Sequence, residues 1–141
     1  MKKNNIEIKI VDEWPITDIV ELYKAGGWWK DSYESSEITK LIKGSYEFAV
    51  AIDKDIGRAI GMGRIISDGI SDAYIQDVVV LPEYRREGIG TKIVDVLLKK
   101  CLSEELLWIG LIAEPGQKEF YLPIGFKAMK KFVPMKYEKG E

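Results

Sequence analysis

The chain has 141 residues, 46% of them hydrophobic and 31% charged, with a formal net charge of −2. That suits one domain with a real core and lacks the basic excess of a protein that grips nucleic acid through a broad face. It has no histidine and a single cysteine, Cys101, which removes imidazole bases, Ser–His and Cys–His nucleophile pairs, His-ligated zinc and any internal disulfide.

Ile6 to Val11 alternates apolar and polar, as a strand does, and does so too early for a signal-peptide apolar region. No stretch approaches the length of a membrane span. The expectation is a cytoplasmic protein with no membrane partner, folded as one domain over residues 1–141. Pro15 suits the first turn of a helix carrying Ile16, Ile19, Val20 and Tyr23 at helical spacing, and Gly26-Gly27 ends it. Trp28 to Tyr33 reads as an aromatic loop. Ser35 or Ser36 is placed to cap a short second helix through about Lys43, with Ile38, Leu41 and Ile42 inward.

Tyr46 to Ile52 reads as a strand, Asp53 to Gly57 as a turn, and Arg58 to Ser67 as a returning strand whose Gly61 and Gly63 mark a bulge or a close backbone approach. After the Asp68-Gly69 turn, Ala73 to Leu81 is a strand. Its run Val78-Val79-Val80 predicts cover on both faces. Gly88 to Cys101 has helical periodicity, with Cys101 on the apolar side, where core packing is its role. Leu106 to Ala113 reads as a buried strand with Trp108 in the core. Gln117 to Leu122 reads as a short helix and Phe126 to Tyr137 as a last strand or strand pair. The order predicts one mixed sheet with helices on both faces.

Between Val78 and Thr91 a buried strand runs into a turn with Arg85 and Arg86, and Gly88 and Gly90 then open a helix. A helix N-terminus offers unpaired N–H groups and a positive dipole end, and glycine lets an anion approach them. The arginines add charge. Ile93 stands where a dinucleotide fingerprint needs its third glycine, and a Gly-Lys-Ser/Thr phosphate loop is absent.

Arg85-x-x-Gly88-x-Gly90 after a strand, with its Val-x-Leu-Pro-Glu-Tyr lead-in, resembles the acyl-CoA signature of the GCN5-related N-acetyltransferases, the GNAT superfamily. Glu119 to Phe126 resembles that family's Phe-Tyr-x-x-x-Gly-Phe segment. The resemblance implies an α/β (α+β) fold: a mixed, mostly antiparallel central sheet flanked by helices, with a parallel strand pair splayed at the cofactor site. It implies acetyl-CoA as acyl donor, no metal, and an N-acetyltransferase passing the acetyl group to a primary amine on a small molecule or peptide. Val78, Val79 and Val80 would run beside the pantetheine arm. Backbone N–H groups across Arg85, Arg86, Glu87, Gly88, Ile89, Gly90 and Thr91 would hold the pyrophosphate. Tyr121 would face the thioester sulfur, where a phenol can protonate the leaving thiolate. Dimers are common in the family, so a homodimer is open.

The base is less defined. Tyr74 and Gln76 match positions that line the family's acceptor site, and neither is a good base. Asp77 is the nearest carboxylate. Strict alternation points it to the opposite face and a bulge would reverse that, so a catalytic base and a structural carboxylate stay equally open. Trp28 and Trp29 are either a wall of the acceptor pocket or plugs of the core, with Tyr33, Tyr46 and Arg64 as further pocket candidates. A non-catalytic acyl-CoA-binding or sensing module with the same loop is the rival reading.

Overall fold

The alternating residues after Asn5 form β1 (Ile6–Ile10), which pairs antiparallel with β2 (Glu47–Asp53). The computed structural model describes residues 4–140. They fall into two compact units, one up to Leu111 and one from Ile112 onward.

The first unit is a five-stranded sheet in the order β1-β2-β3-β4-β5, with β3 (Arg58–Ser67), β4 (Asp72–Val80) and β5 (Trp108–Gly110). Every neighbouring pair is antiparallel except β4–β5, which is parallel. Helices α1 (Ile16–Ala25) and α2 (Glu37–Gly44) lie between β1 and β2 in the chain, and α3 (Ile89–Ser103) joins β4 to β5. This is the mixed, mostly antiparallel sheet flanked by helices that the resemblance implies.

The core is built on β2 and β3, where Phe48 to Ile52 and Ala59, Ile60, Met62 and Ile65 are buried. α3 turns Ile93, Val94, Leu97 and Cys101 onto the sheet. Gly63 permits that approach, since a Cβ there would lie 2.9 Å from Ile93 Cγ2 and 3.1 Å from Leu97 Cδ1. Its neighbour Arg64 instead meets residues reached by α1. Successive strand residues face opposite sides, so α1 and α3 cover opposite faces of the sheet.

Three expectations are corrected. The strand over Leu106 to Ala113 shrinks to Trp108–Gly110, and Leu107 and Trp108 are exposed rather than core. β5 has only β4 beside it in the sheet and Trp108 lies across Gly110, where a Cβ would meet its ring at 2.1 Å. Ser36 stands at the start of α2 with helical dihedrals and makes no side-chain capping bond. Phe126 to Tyr137 contains no strand. Ladder bonds need a partner strand, and the second unit has none among its described residues. That unit consists of α4 (Lys118–Tyr121), a 3-10 turn over Leu122–Ile124 and an irregular segment.

Candidate active site

The centre of the site is an irregularity in β4. Met62 lies opposite Val79 and Arg64 opposite Gln76, so the single residue Gly63 faces both Asp77 and Val78. This is a β-bulge, and Asp77 absorbs it with a left-handed φ of 59°. Aspartate tolerates that region better than most side chains. The extra residue reverses the alternation. Asp77 shares the α1 face with Gln76, while Val78 points to α3 beside Ile93.

Asp77 Oδ2 accepts hydrogen bonds from the Tyr23 hydroxyl at 2.7 Å and from Arg64 Nε at 2.6 Å. The Arg64 and Asp77 side chains are 16% and 20% exposed, so water screens the pair weakly. Arg64 Nη1 also reaches Ser45 Oγ at 3.4 Å, and Ser45 donates to the Leu41 carbonyl. Burial first, then the Asp77 charge, raises the Tyr23 phenol far above its ordinary pKa, so it remains a proton donor.

β4 pairs with β5 only from Asp72–Trp108 to Tyr74–Gly110. Beyond that point β4 has no strand on its outer side among the described residues. No strand therefore pairs with β4 on that side alongside Ile75 to Val80, the stretch where the bulge falls.

β4 leads through a 3-10 turn (Pro82–Tyr84) into α3. Arg86 has φ 67° and Gly88, the N-cap residue, φ 78°. The helix start has no side-chain cap and no acidic residue in its first turn. The N–H groups of Ile89, Gly90 and Thr91 thus begin a helix with neither a capping oxygen nor a carboxylate to answer them. A Cβ on Gly88 would meet nothing within 4 Å, so the space over the turn is open. Arg85 and Arg86 are exposed. Arg85 Nε donates to the Val80 carbonyl at 2.9 Å, on the stretch that the resemblance places beside the pantetheine arm. The Glu87 carboxylate is engaged by Asn4 Nδ2.

Tyr74 is exposed with its ring 5.2 Å from Trp108, and Gln76 is exposed. Trp28 and Trp29 are both half-buried. Trp28 meets the edge of Tyr23 and folds over Gly26, and Trp29 stacks edgewise on Tyr33. Trp28 thus touches the residue that holds Asp77, whereas Trp29 packs on Tyr33. Tyr46 lines a separate open cleft of ≈ 640 Å³ beside Lys9, Trp14 and Lys43, which includes none of the β4 or α3 residues above. Within the second unit the Tyr121 ring lies between Phe120 and Phe126, and burial raises its pKa.

Sequence reasoning missed Tyr23, Asp53 and Tyr84. Tyr23 reads as a core position at helical spacing. Its phenolic tip was the available signal, because a buried hydroxyl needs a partner. Asp53 reads as a turn residue, but its side chain is buried and accepts from the Tyr84 hydroxyl.

Among the described residues no three His, Cys, Asp or Glu side chains are grouped to hold a metal, and no helix is long and apolar enough to cross a membrane.

The sequence matches the acetyltransferase (GNAT) domain over residues 21–139. It is 32% identical over 120 residues to GCN5-related N-acetyltransferase 2, chloroplastic, of Arabidopsis thaliana, covering 82% of this chain and 45% of that one. The chain spans about half the length of the first curated relatives it matches. A probable acetyltransferase from meticillin-resistant Staphylococcus aureus shares the fold with a TM-score of 0.82 at 23% identity, covering 96% of this chain and all of that one. A GNAT-family acetyltransferase from Streptococcus pneumoniae superposes with a TM-score of 0.76 at 28% identity, covering 97% and 100%. The domain match over most of the chain, together with this sheet, places the chain in the GNAT acetyltransferase family.

Proposed function

We propose that the chain transfers an acetyl group from acetyl-CoA directly to a primary amine on a small molecule or peptide. The observation that carries the reading is the start of α3, a helix N-terminus without cap or acid, led by Gly88 and flanked by Arg85 and Arg86. Such an end favours an anion, and it follows a strand whose outer side has no partner strand beyond Tyr74 among the described residues.

In this reading the N–H groups of Ile89, Gly90 and Thr91 hold the pyrophosphate, with Arg85 and Arg86 adding charge. The free edge of β4 from Gln76 to Val80 aligns the acyl arm as an added strand would lie. The amine nitrogen bonds to the thioester carbonyl carbon, the carbon–sulfur bond breaks, and the sulfur leaves with the electron pair. Before attack the ammonium proton of the acceptor departs through water to solvent. Tyr121 supplies a proton to the leaving sulfur, and the second proton, which the nitrogen sheds as it becomes an amide, restores the phenol, whose burial raises its pKa. Trp28, Tyr74 and Gln76 offer the acceptor aromatic and polar contact beside the bulge. Positioning does most of the work, since no covalent intermediate on the enzyme is needed.

The test is a calorimetric titration with acetyl-CoA, with 3′-dephospho-CoA and acetate as controls, then thiol release over a panel of amines. Saturable binding and amine-dependent thiol release are expected. Binding without release from any amine would favour a non-catalytic acyl-CoA sensor, and no binding at millimolar concentration would overturn both readings.

A further inference from the structure

Asp77 is a non-glycine residue in left-handed conformation at the one bulge of β4, and its side chain is not free to follow solvent. Such a backbone is strained and persists where surrounding contacts hold it. Here the contacts are two short bonds to one carboxylate oxygen, one from α1 and one from β3. Each donor is itself fixed. Tyr23 is buried, with its ring edge on Trp28, and Arg64 is tied through Ser45 to the last turn of α2.

We propose that Asp77 is a positioning residue, a clamp that holds the β4 bulge open and so fixes the backbone of Asp77 and Val78 on the free edge of the strand. The clamp rests on the acetyl-transfer reading only for its purpose, since its effect on the strand stands by itself. Removing the carboxylate lets the extra residue migrate along β4, which turns Val78 away from α3 and shifts the register beside the acyl arm. A base would have to take its proton on Oδ1, since both bonds fall on Oδ2. The clamp needs only an acceptor of the same shape at a residue that tolerates positive φ. Asparagine meets both conditions, and alanine meets neither.

The experiment compares Asp77→Asn, Asp77→Ala and Tyr23→Phe in the full chain. Amide hydrogen exchange at Val78 and Val79 is followed in the free protein, and kcat and KM for a responsive amine are measured alongside. The clamp predicts that Asp77→Asn stays within about threefold of the parent in exchange and in kcat. Asp77→Ala and Tyr23→Phe should exchange at these amides at least tenfold faster and lose kcat, with acetyl-CoA affinity nearly kept because α3 holds the pyrophosphate. If Asp77→Asn loses as much kcat as Asp77→Ala while its exchange stays parental, the carboxylate is a base and the proposal falls. Parental exchange in both Asp77→Ala and Tyr23→Phe also overturns it. If Asp77→Ala does not fold, Tyr23→Phe and Asp77→Asn decide alone. Because exchange needs no substrate, failure of the acetyl-transfer reading would appear as absent turnover in the parent, with the clamp still measurable.

Discussion

The Tyr84 hydroxyl donates to Asp53 Oδ2 at 2.5 Å, joining the turn before α3 to the end of β2. Asp53 Oδ1 meanwhile accepts from the Asp55 N–H, so both carboxylate oxygens are engaged. The bond pins the turn that carries Arg85 and Arg86 against the sheet. Tyr84→Phe should lower stability by on the order of 1 kcal/mol and weaken acetyl-CoA binding, because the arginines lose their fixed base. The hydrogen bond to Asp53, then burial, then the Asp53 charge push the Tyr84 pKa from 10.0 to about 12. A pKa raised on folding stabilises below the unfolded value. The contribution is therefore full below pH 10 and fades as pH rises through about 12. Unfolding of parent and Tyr84→Phe should differ at pH 8 and converge near pH 12; a constant difference would contradict the clasp.

Gly88 separates backbone strain from anion exclusion. Its φ of 78° favours glycine, and asparagine is the side chain that best tolerates such a value. Gly88→Asn should keep the melting temperature within a few degrees yet raise the acetyl-CoA Kd about tenfold or more, through a side chain over the N–H groups. Equal affinity in calorimetry would move the pyrophosphate elsewhere.

Tyr121→Phe keeps the ring between Phe120 and Phe126 and removes only the hydroxyl. If the phenol protonates the leaving sulfur, kcat should fall by about a hundredfold while acetyl-CoA affinity stays. Because burial raises its pKa, this step should not titrate away between pH 7 and the ordinary tyrosine range. Unchanged kcat would remove Tyr121 from the reaction.

Gly63→Ala tests the seat of α3. A methyl group there would lie 2.9 Å from Ile93 Cγ2 and 3.2 Å from Val78 Cγ2. Overpacking of this kind costs about 1–3 kcal/mol. Urea unfolding should show a lower midpoint with an unchanged slope; an unchanged midpoint would mean that α3 can shift without loss.

Legibility followed locality. β1 to β4 and the first three helices were readable because each has its own periodicity, and the turn at Arg85 to Gly90 because glycines and arginines announce it in one short stretch. The short extent of β5 and the lack of strand after Phe126 were not. Both stretches are apolar enough for strands, but a strand forms only where another strand offers ladder bonds, and apolar content says nothing of that. Trp108 was read as core for the same reason and lies half-open at a sheet edge.

By itself the sequence determined the chemistry available. Without histidine, the bases on offer are phenols, carboxylates and water, and the glycine-led helix after Leu81 is the candidate anion seat. Only the tertiary structure decided what Asp77 does. Its face depended on one extra residue opposite Gly63, and its partners come from positions 54 residues before it and 13 before it in the chain. A side chain's direction past a bulge, and the donors that meet it there, are set by how strands and helices pack, which no local pattern encodes.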